Sequence, residues 1–165
     1  MKLEGIHHLT CITGDAPRNV EFYAGTLGLR LVKKTVNQDD PTVYHLFYAD
    51  ELGSPGADLT FFEYPGIARG RAGAGMVHRI VHRVASEPAL EFWSQRLGAE
   101  GVTLEGDGGD RALRFRDPEG LGLEFAVVET DDEPLVARAE DIPTEHALQG
   151  FDGVRAYTHD PERSR

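Results

Sequence analysis

The stretch VEFYAGTLGL at residues 20–29 returns as LEFWSQRLGA at residues 90–99. Glu-Phe at 21–22 falls on Glu-Phe at 91–92, and Leu-Gly at 27–28 falls on Leu-Gly at 97–98, always at an offset of 70. The same offset carries His8 onto His78, and a later offset of 64 carries Leu59 onto Leu123. Chance rarely keeps one offset over many positions, so the sequence predicts two copies of one structural unit.

Each copy has the pattern of one strand, one helix and three further strands. In the first copy, β-branched and apolar residues at 6–13 precede Asp15, a suitable helix N-cap, and Pro17, which suits a first helical turn. Helical spacing continues to Gly28, and strand-like segments follow. The sequence therefore predicts an α+β fold of two βαβββ modules. Because one helix leaves the other face of a sheet uncovered, the two modules should face each other across a cup.

The predicted modules occupy residues 1–68 and 72–130. Residues 131–149 are acidic and poor in large apolar side chains, which predicts a solvated linker. Residues 150–165 begin with an echo of residues 5–15 at an offset of 145, which predicts the start of a third module, with Gly153 where His8 and His78 stand. A lone strand exposes an unpaired edge, so residues 150–158 should pair with a sheet, across a homodimer for example, or be disordered.

Composition excludes several classes of function. The chain has 165 residues with 17 basic and 28 acidic side chains, a formal net charge of −11, which argues against nucleic acid and anionic lipid as partners. No apolar run approaches the roughly 20 residues that cross a bilayer. The single cysteine excludes an internal disulfide and favours a reducing compartment, so we expect a cytoplasmic protein.

Several motifs resemble one protein superfamily. GIHHLT at 5–10, FYAGTLG at 22–28 and DPEGLGLE at 117–124 resemble the vicinal oxygen chelate superfamily, which includes glyoxalase I, bleomycin- and fosfomycin-resistance proteins and extradiol ring-cleaving dioxygenases. DDP at 39–41, YHLFYAD at 44–50 and LTFF at 59–62 resemble more narrowly its bacterial hydroquinone-type dioxygenases. Those proteins usually have four such modules and about twice the length of this chain.

The resemblance implies a metal held by the first and last strands of the two modules. On this chain those positions are His8, His78 and Glu124, with Thr60 at the fourth. Two imidazoles and one carboxylate match the facial triad that suits Fe(II), while Mn(II), Zn(II) and Ni(II) stay open. A glyoxalase I pattern would require a carboxylate in place of Thr60, and Glu63 should face away from the cup, so the dioxygenases are the better match.

One more histidine is a candidate for proton transfer. Side chains alternate along a strand, so of Tyr44 and His45 only one can enter the cup. We assign His45 as general acid/base, because imidazole titrates near neutrality. The residues expected on the cup wall are Phe47, Thr60 and Phe62.

Other polar residues have structural interpretations. We expect His7 to pack under the helix and Cys11 to be a small core residue. His82 should lie in the second shell or at the rim of the cup. His146 and His159 should be solvated, and Asp117-Pro-Glu-Gly120 should form a structural turn.

The function predicted from this reading is an Fe(II)-type ring-cleaving dioxygenase that uses O2 on a dihydroxylated aromatic such as a hydroquinone or catechol. The alternatives are a glyoxalase-like metal isomerase or transferase, and a bleomycin-resistance-type protein that binds a small molecule without turnover. Metal content measured together with oxygen uptake distinguishes them. A homodimer is expected.

Overall fold

Two β-sheets organise the chain, one for each repeat. The computed structural model describes residues 5–106, 109 and 111–164, and arranges them around a four-stranded and a five-stranded sheet. Within these ranges, no helix has the length and apolar character needed to span a bilayer. The predicted α+β class is confirmed.

The first module runs strand, helix and three strands. Its elements are β1 (His8–Thr13), α1 (Ala16–Val20) with a π-helical continuation (Glu21–Thr26), β2 (Arg30–Val36), β3 (Tyr44–Ala49) and β4 (Asp58–Glu63). The sheet order is β1-β4-β3-β2, with β1 parallel to β4. The Asp15 carboxylate caps α1 by accepting from the Arg18 amide at 3.1 Å, as the sequence predicts.

The second module repeats this connectivity. Its elements are β5 (Val77–Val84), α2 (Glu87–Ala99), β6 (Leu104–Glu105), β7 (Ala112–Arg116) and β8 (Gly122–Val127). They are ordered β6-β7-β8-β5, and β5 is parallel to β8. The Ser86 hydroxyl caps α2 by accepting from the Ala89 amide at 3.4 Å. The two modules predicted from the repeat are present.

The first helix contains one residue more than the second. Residues 16–20 separate the cap Asp15 from Glu21, whereas residues 87–90 separate the cap Ser86 from Glu91. The π-helical turn accommodates the additional residue, with the Leu27 amide donating to the Phe22 carbonyl five residues earlier. The offset between the modules is therefore 71 before this turn and 70 after it.

This change of offset alters which first-strand residues are equivalent. Thr10 lies opposite Thr60 on β4, and Val81 lies opposite Glu124 on β8. Since Thr60 and Glu124 correspond, Thr10 corresponds to Val81, and His8 two residues earlier corresponds to Arg79. The interpretation that His8 and His78 are equivalent is therefore wrong by one residue. One residue along a strand moves a side chain to the other face.

The third-module fragment forms a strand of the second sheet. β9 (Phe151–Ala156) pairs antiparallel with β5 of the same chain, with Gly153 opposite Val81. Of the outcomes predicted for residues 150–158, pairing with a sheet is confirmed, and it occurs within the chain. β5 therefore lies between β8 and β9 in its sheet, whereas β1 is an edge strand of the other sheet.

The segment at 131–149 packs as a strap against the first module. Its buried side chains are Ala137, Ile142, Ala147 and Leu148. Gly28 has φ +69°, and a Cβ there would lie 2.4 Å from Ile142 Cδ1, so the strap passes where only glycine leaves room. The expectation of a solvated linker is wrong for this part, because spaced small and apolar side chains suffice for packing.

The modules meet on their helix sides. The Tyr23 hydroxyl donates to the buried Asp117 at 3.0 Å, and the Gly14 amide donates to Glu119 at 2.8 Å. Arg96 Nε donates to the Thr26 carbonyl at 2.8 Å. One core cluster joins the helix-facing side chains of both modules. The turn at 117–120 thus has the structural role expected of it, and the sheet faces opposite the helices lie outside this contact.

Candidate functional site

The face of the first sheet opposite α1 gathers the histidine and aromatic residues singled out by the sequence. Strand pairing sets His45 opposite Phe62, Phe47 opposite Thr60, Thr10 opposite Thr60 and His8 opposite Asp58. Paired residues share a face of a sheet. We name this surface the histidine face; it comprises His8, Thr10, His45, Phe47, Asp58, Thr60 and Phe62.

His45 lies between two aromatic rings on this face. Its ring centroid is 3.9 Å from that of Phe62, in a stacked arrangement, and 4.0 Å from that of Phe47. Burial lowers the pKa of His45, against the opposing charge of Asp58. Its Nε2 is buried and has no hydrogen-bond partner among the described residues. A neutral imidazole with a free nitrogen can accept a proton from a ligand placed beside it.

His8 lies exposed at the start of β1. Its Nδ1 is 3.2 Å from Nδ1 of His7, and Asp58 faces it across the strand pair. His7 is exposed as well, so the expectation that it packs under the helix is wrong, because β1 begins only at His8. Both imidazoles are therefore accessible at one end of the histidine face.

His78 lies in the second sheet, in a cationic setting. Its ring stacks on that of Tyr157 with centroids 4.0 Å apart. Burial lowers its pKa, and the charges of Arg79, Arg116 and Arg155 lower it further. An imidazole beside three guanidinium groups is poorly placed to hold a divalent cation.

Glu124 is buried and paired with two arginines. The side chain is 1% exposed, and its Oε2 accepts from Arg114 Nε at 2.8 Å and from Arg155 Nε at 2.9 Å. Its Oε1 accepts from the second guanidinium nitrogen of Arg155. Burial disfavours the carboxylate, but these hydrogen bonds outweigh it and lower the pKa of Glu124.

The three predicted metal ligands do not fit one ion. Among the residues that the structure describes, no group of three or more histidine, cysteine, aspartate or glutamate side chains is placed to hold a metal. His8 lies on the first sheet, whereas His78 and Glu124 lie on the second, and the lone pairs of Glu124 are engaged by guanidinium groups. This chain alone does not bring the triad together.

On the helix-facing side of β1 and β5, one residue, His82, lies elsewhere than expected. His82 does not lie at a rim: it is 1% exposed and packs against Phe125 and Phe151 on the helix side of the second sheet. Burial lowers its pKa to about 4. Cys11 is a partly buried core residue as predicted, and burial raises its pKa to about 12. Glu63 turns away from the histidine face and accepts from the Ala16 amide at 2.7 Å.

The strap and tail histidines have different surroundings. His146 stacks on Phe92 with centroids 4.9 Å apart, and its carbonyl accepts from Trp93 Nε1 at 2.7 Å. The expectation of a solvated His146 is therefore wrong, whereas His159 is exposed as expected. Neither lies on the histidine face.

Two features were not anticipated from the sequence. A cavity of about 550 Å³ opens beside α1, lined in part by Phe22, Arg18 and Asp117. Four arginines also gather on the open face of the second sheet. The alternation of arginines at 114 and 116 along β7 was the available signal for this surface.

Comparison with known proteins places the chain in a family. Residues 5–125 match the family model described as the Glyoxalase/Bleomycin resistance protein/Dioxygenase superfamily. This chain belongs to that superfamily. The motifs at 5–10, 22–28 and 117–124 indicated the same assignment.

Curated relatives of this chain bear dioxygenase names. The chain is 44% identical over 161 residues to a provisionally named ring-cleaving dioxygenase, MhqA, of Bacillus subtilis, covering 93% of this chain and 50% of the relative. It is 35% identical over 156 residues to a chlorohydroquinone/hydroquinone 1,2-dioxygenase of Sphingobium indicum, covering 91% and 48%. The chain thus spans about half the length of the curated relatives it matches.

A solved structure supports the same fold. A protein of Bacillus subtilis provisionally described as a dioxygenase superposes with a TM-score of 0.88 at 38% identity, covering 97% of this chain and 52% of that one. The agreement extends beyond residue 130, so the strap and β9 lie within the superposed part.

Proposed function

We propose that this chain acts in the cleavage of a dihydroxylated aromatic ring by O2, with a hydroquinone or a catechol as substrate. Relatives named for ring cleavage and for hydroquinone dioxygenation support the reaction class. The observation that carries the proposal is the histidine face, where His45 lies between Phe47 and Phe62 beside exposed His8.

The histidine face suits an aromatic diol. Phe47 and Phe62 offer ring surfaces against which a planar substrate can pack. His45, whose pKa is lowered, is neutral near pH 7, so its free Nε2 can accept a phenolic proton and later return it. The hydroxyls of Thr10 and Thr60 hydrogen-bond each other at 3.1 Å and complete the wall between the two histidines.

The superfamily implies a divalent metal, and we propose Fe(II). Of the three predicted ligands we retain only His8, because it is exposed on the histidine face, whereas His78 and Glu124 are engaged in the second sheet. We propose that the remaining ligands come from outside this module. Mn(II), Zn(II) and Ni(II) are the competing ions.

A homodimer in the cytoplasm remains part of the proposal. β1 is an edge strand, and Ile12, which lies opposite Phe62, is 53% exposed, which favours a partner along this edge. The single partly buried thiol agrees with a reducing compartment. Sedimentation velocity of the chain and of Ile12→Asp tests the dimer, which the charge should dissociate.

Oxygen uptake tests the activity. The chain, loaded in separate samples with Fe(II), Mn(II) or Zn(II), is mixed with hydroquinone, catechol and resorcinol. We expect one O2 consumed per ring lost with a 1,2- or 1,4-diol and Fe(II). Ligand binding without oxygen uptake under every metal would instead identify a binding module. An isomerase with a glyoxalase I pattern is disfavoured by buried Thr60, which offers a hydroxyl where a carboxylate is needed.

A further inference from the structure

The open face of the second sheet carries two consecutive cross-strand rows of charged residues. In one row, Arg116 lies opposite Gly122, Gly122 opposite Arg79, and Arg79 opposite Arg155. In the next row, Arg114 lies opposite Glu124. We name the surface formed by these four arginines the arginine face.

Among the residues that the structure describes, pairs of these arginines share carboxylates. Glu124 pairs with Arg114 and Arg155, and Glu105 pairs with Arg79 and Arg116 at 2.6 and 2.7 Å. The hydrogen bonds to Glu124, and then the charges of Glu124 and Asp152, raise the pKa of Arg155. Like charges in adjacent positions of a sheet are unfavourable unless a counter-charge binds there.

The accessible groups of this face are the cations. Side chains of Arg116 and Arg155 are 58% and 49% exposed, whereas that of Glu124 is 1% exposed. A molecule arriving from solvent therefore meets guanidinium groups before it meets the carboxylate beneath them. Guanidinium groups present several donors in a planar fork that matches carboxylate and phosphate oxygens.

One side of the face leaves room for a ligand. Gly153 on β9 contributes no side chain, and a Cβ there would have no atom within 4 Å. Near the ends of β5 and β9, the rings of His78 and Tyr157 stack on each other. The lowered pKa of His78 reflects, after burial, the positive charge of three of these arginines.

We propose that the arginine face binds an oxyanion, a carboxylate or a phosphate group, through Arg116 and Arg155. A divalent cation is repelled there, so the position occupied by Glu124, which the family resemblance suggested for a metal ligand, belongs to an anion site. The inference is independent of ring cleavage on the histidine face.

Anion titration tests the proposal. The chain is titrated with sodium phosphate and, separately, with sodium benzoate and acetate, all at the ionic strength of a sodium chloride reference. We expect saturable shifts of the Arg116 and Arg155 Nε–H resonances with the oxyanions and none with chloride. Tighter phosphate binding identifies a phosphate ligand, whereas benzoate binding tighter than acetate identifies an aromatic carboxylate. No saturable shift with any of them would overturn the proposal.

Matched arginine variants locate the site. Arg116→Gln and Arg155→Gln should each weaken the affinity about tenfold or more, as expected for the loss of a charged hydrogen bond. Arg111→Gln is the control, because Arg111 is exposed and pairs with Glu129 at 3.3 Å outside the arginine face. An equal loss in Arg111→Gln would show non-specific attraction and contradict the site.

Glu124→Gln separates an anion site from a cation site. Removing the central negative charge should strengthen phosphate binding, and phosphate should raise the melting temperature of this variant more than that of the parent chain. If the variant folds only with phosphate present, that dependence supports the same conclusion. Mn(II) that broadens the Arg155 resonance in the parent chain, and not in Glu124→Gln, would overturn it.

Discussion

The histidine face and the arginine face occupy equivalent positions on two copies of one module, yet their chemistry is opposite. By strand register, His8 corresponds to Arg79, Thr60 to Glu124 and Phe47 to Arg114. His45 corresponds to Ala112. His45 lies opposite Phe62, two residues after Thr60 on β4, and Ala112 lies opposite Ala126, two residues after Glu124 on β8. The first face carries imidazoles and aromatic rings, and the second carries ion pairs.

This difference separates what a duplication retains from what it does not. Both modules retain the helix cap, the proline in the first turn and the strand order. These features determine how the backbone folds, and the open faces are free to diverge because the modules meet on their helix sides. Function in such a pair is assigned face by face, from the side chains present.

The largest effect expected from this comparison is the loss of bound metal at one face only. His8→Ala should abolish metal binding and turnover, because a ligand is removed outright, with a fall beyond about 100-fold. His78→Ala is the matched variant and should retain both, since His78 stacks on Tyr157 among arginines. Metal analysis and oxygen uptake measure the two variants. Metal loss in both would restore the symmetric site.

The next effect concerns proton transfer on the histidine face. His45→Ala should retain metal and lower turnover by roughly 10²–10⁴-fold, the range of a general acid/base. His159→Ala, at an exposed position outside the face, is the control. Because the pKa of His45 is lowered, the ring should protonate, and the rate should fall, only at a pH below the usual pKa of histidine. A variant with unchanged turnover and pH profile would reduce His45 to a packing residue.

A third effect is structural and contrasts Thr60 with Glu124, each 1% exposed. Glu124→Gln removes the buried carboxylate that accepts hydrogen bonds from Arg114 and Arg155, so the free energy of unfolding should fall by about 3–5 kcal/mol, as for a broken buried ion pair. Thr60→Ala loses one hydroxyl hydrogen bond and should cost about 1 kcal/mol. Denaturant titration in chloride buffer measures both. Equal losses would show that the arginines are adequately solvated without Glu124.

The smallest effect is a loss of folding stability at acidic pH. It contrasts Cys11 on β1 with His82 on β5, which occupy equivalent helix-facing positions in the two modules. His82 is neutral when folded, with a pKa of about 4, and unfolding restores its ordinary value near 6.5. Its contribution to stability is therefore complete above pH 6.5 and is lost as pH falls from 6.5 to 4, by about 3 kcal/mol. His82→Leu should remove this loss, measured as the difference between the two stability curves.

Two variants provide controls for that slope. His159→Leu should leave it unchanged, because His159 is exposed and lies outside the core. A parent chain and His82→Leu with parallel curves between pH 4 and 6.5 would show that His82 protonates within the folded chain. Cys11, with a pKa of about 12, contributes no slope in this range.

The sequence predicted the backbone well because its signals are local. Asp15, Pro17 and Gly28 mark helix ends through their own dihedral and hydrogen-bonding preferences, and alternation marks strands. The placement of His45 beside Phe47 and Phe62 follows from the same alternation. These elements require no information from distant parts of the chain.

Register across the first helix could not be predicted in the same way. The offset of 70 read from residues 20–29 holds after the π-helical turn and fails before it, and that turn has no sequence signature of its own. The prediction therefore matched His8 to His78. The register shows that His8 corresponds to Arg79 and that His7 corresponds to His78. The pairing of β5 with β9 is likewise a long-range choice that local pattern does not encode.

The strap imposes an order on how this chain matures as it is synthesised. Ile142, Ala147 and Leu148, which cover the end of the first helix at Gly28, leave the ribosome only after the whole of the second module. A nascent chain that has completed β4 therefore keeps part of the core of the first module exposed until residues 142–148 have been synthesised. Folding of the amino-terminal module is thus tied to the arrival of its carboxy-terminal cover, and a stall in translation before residue 142 leaves a surface on which chaperones would act.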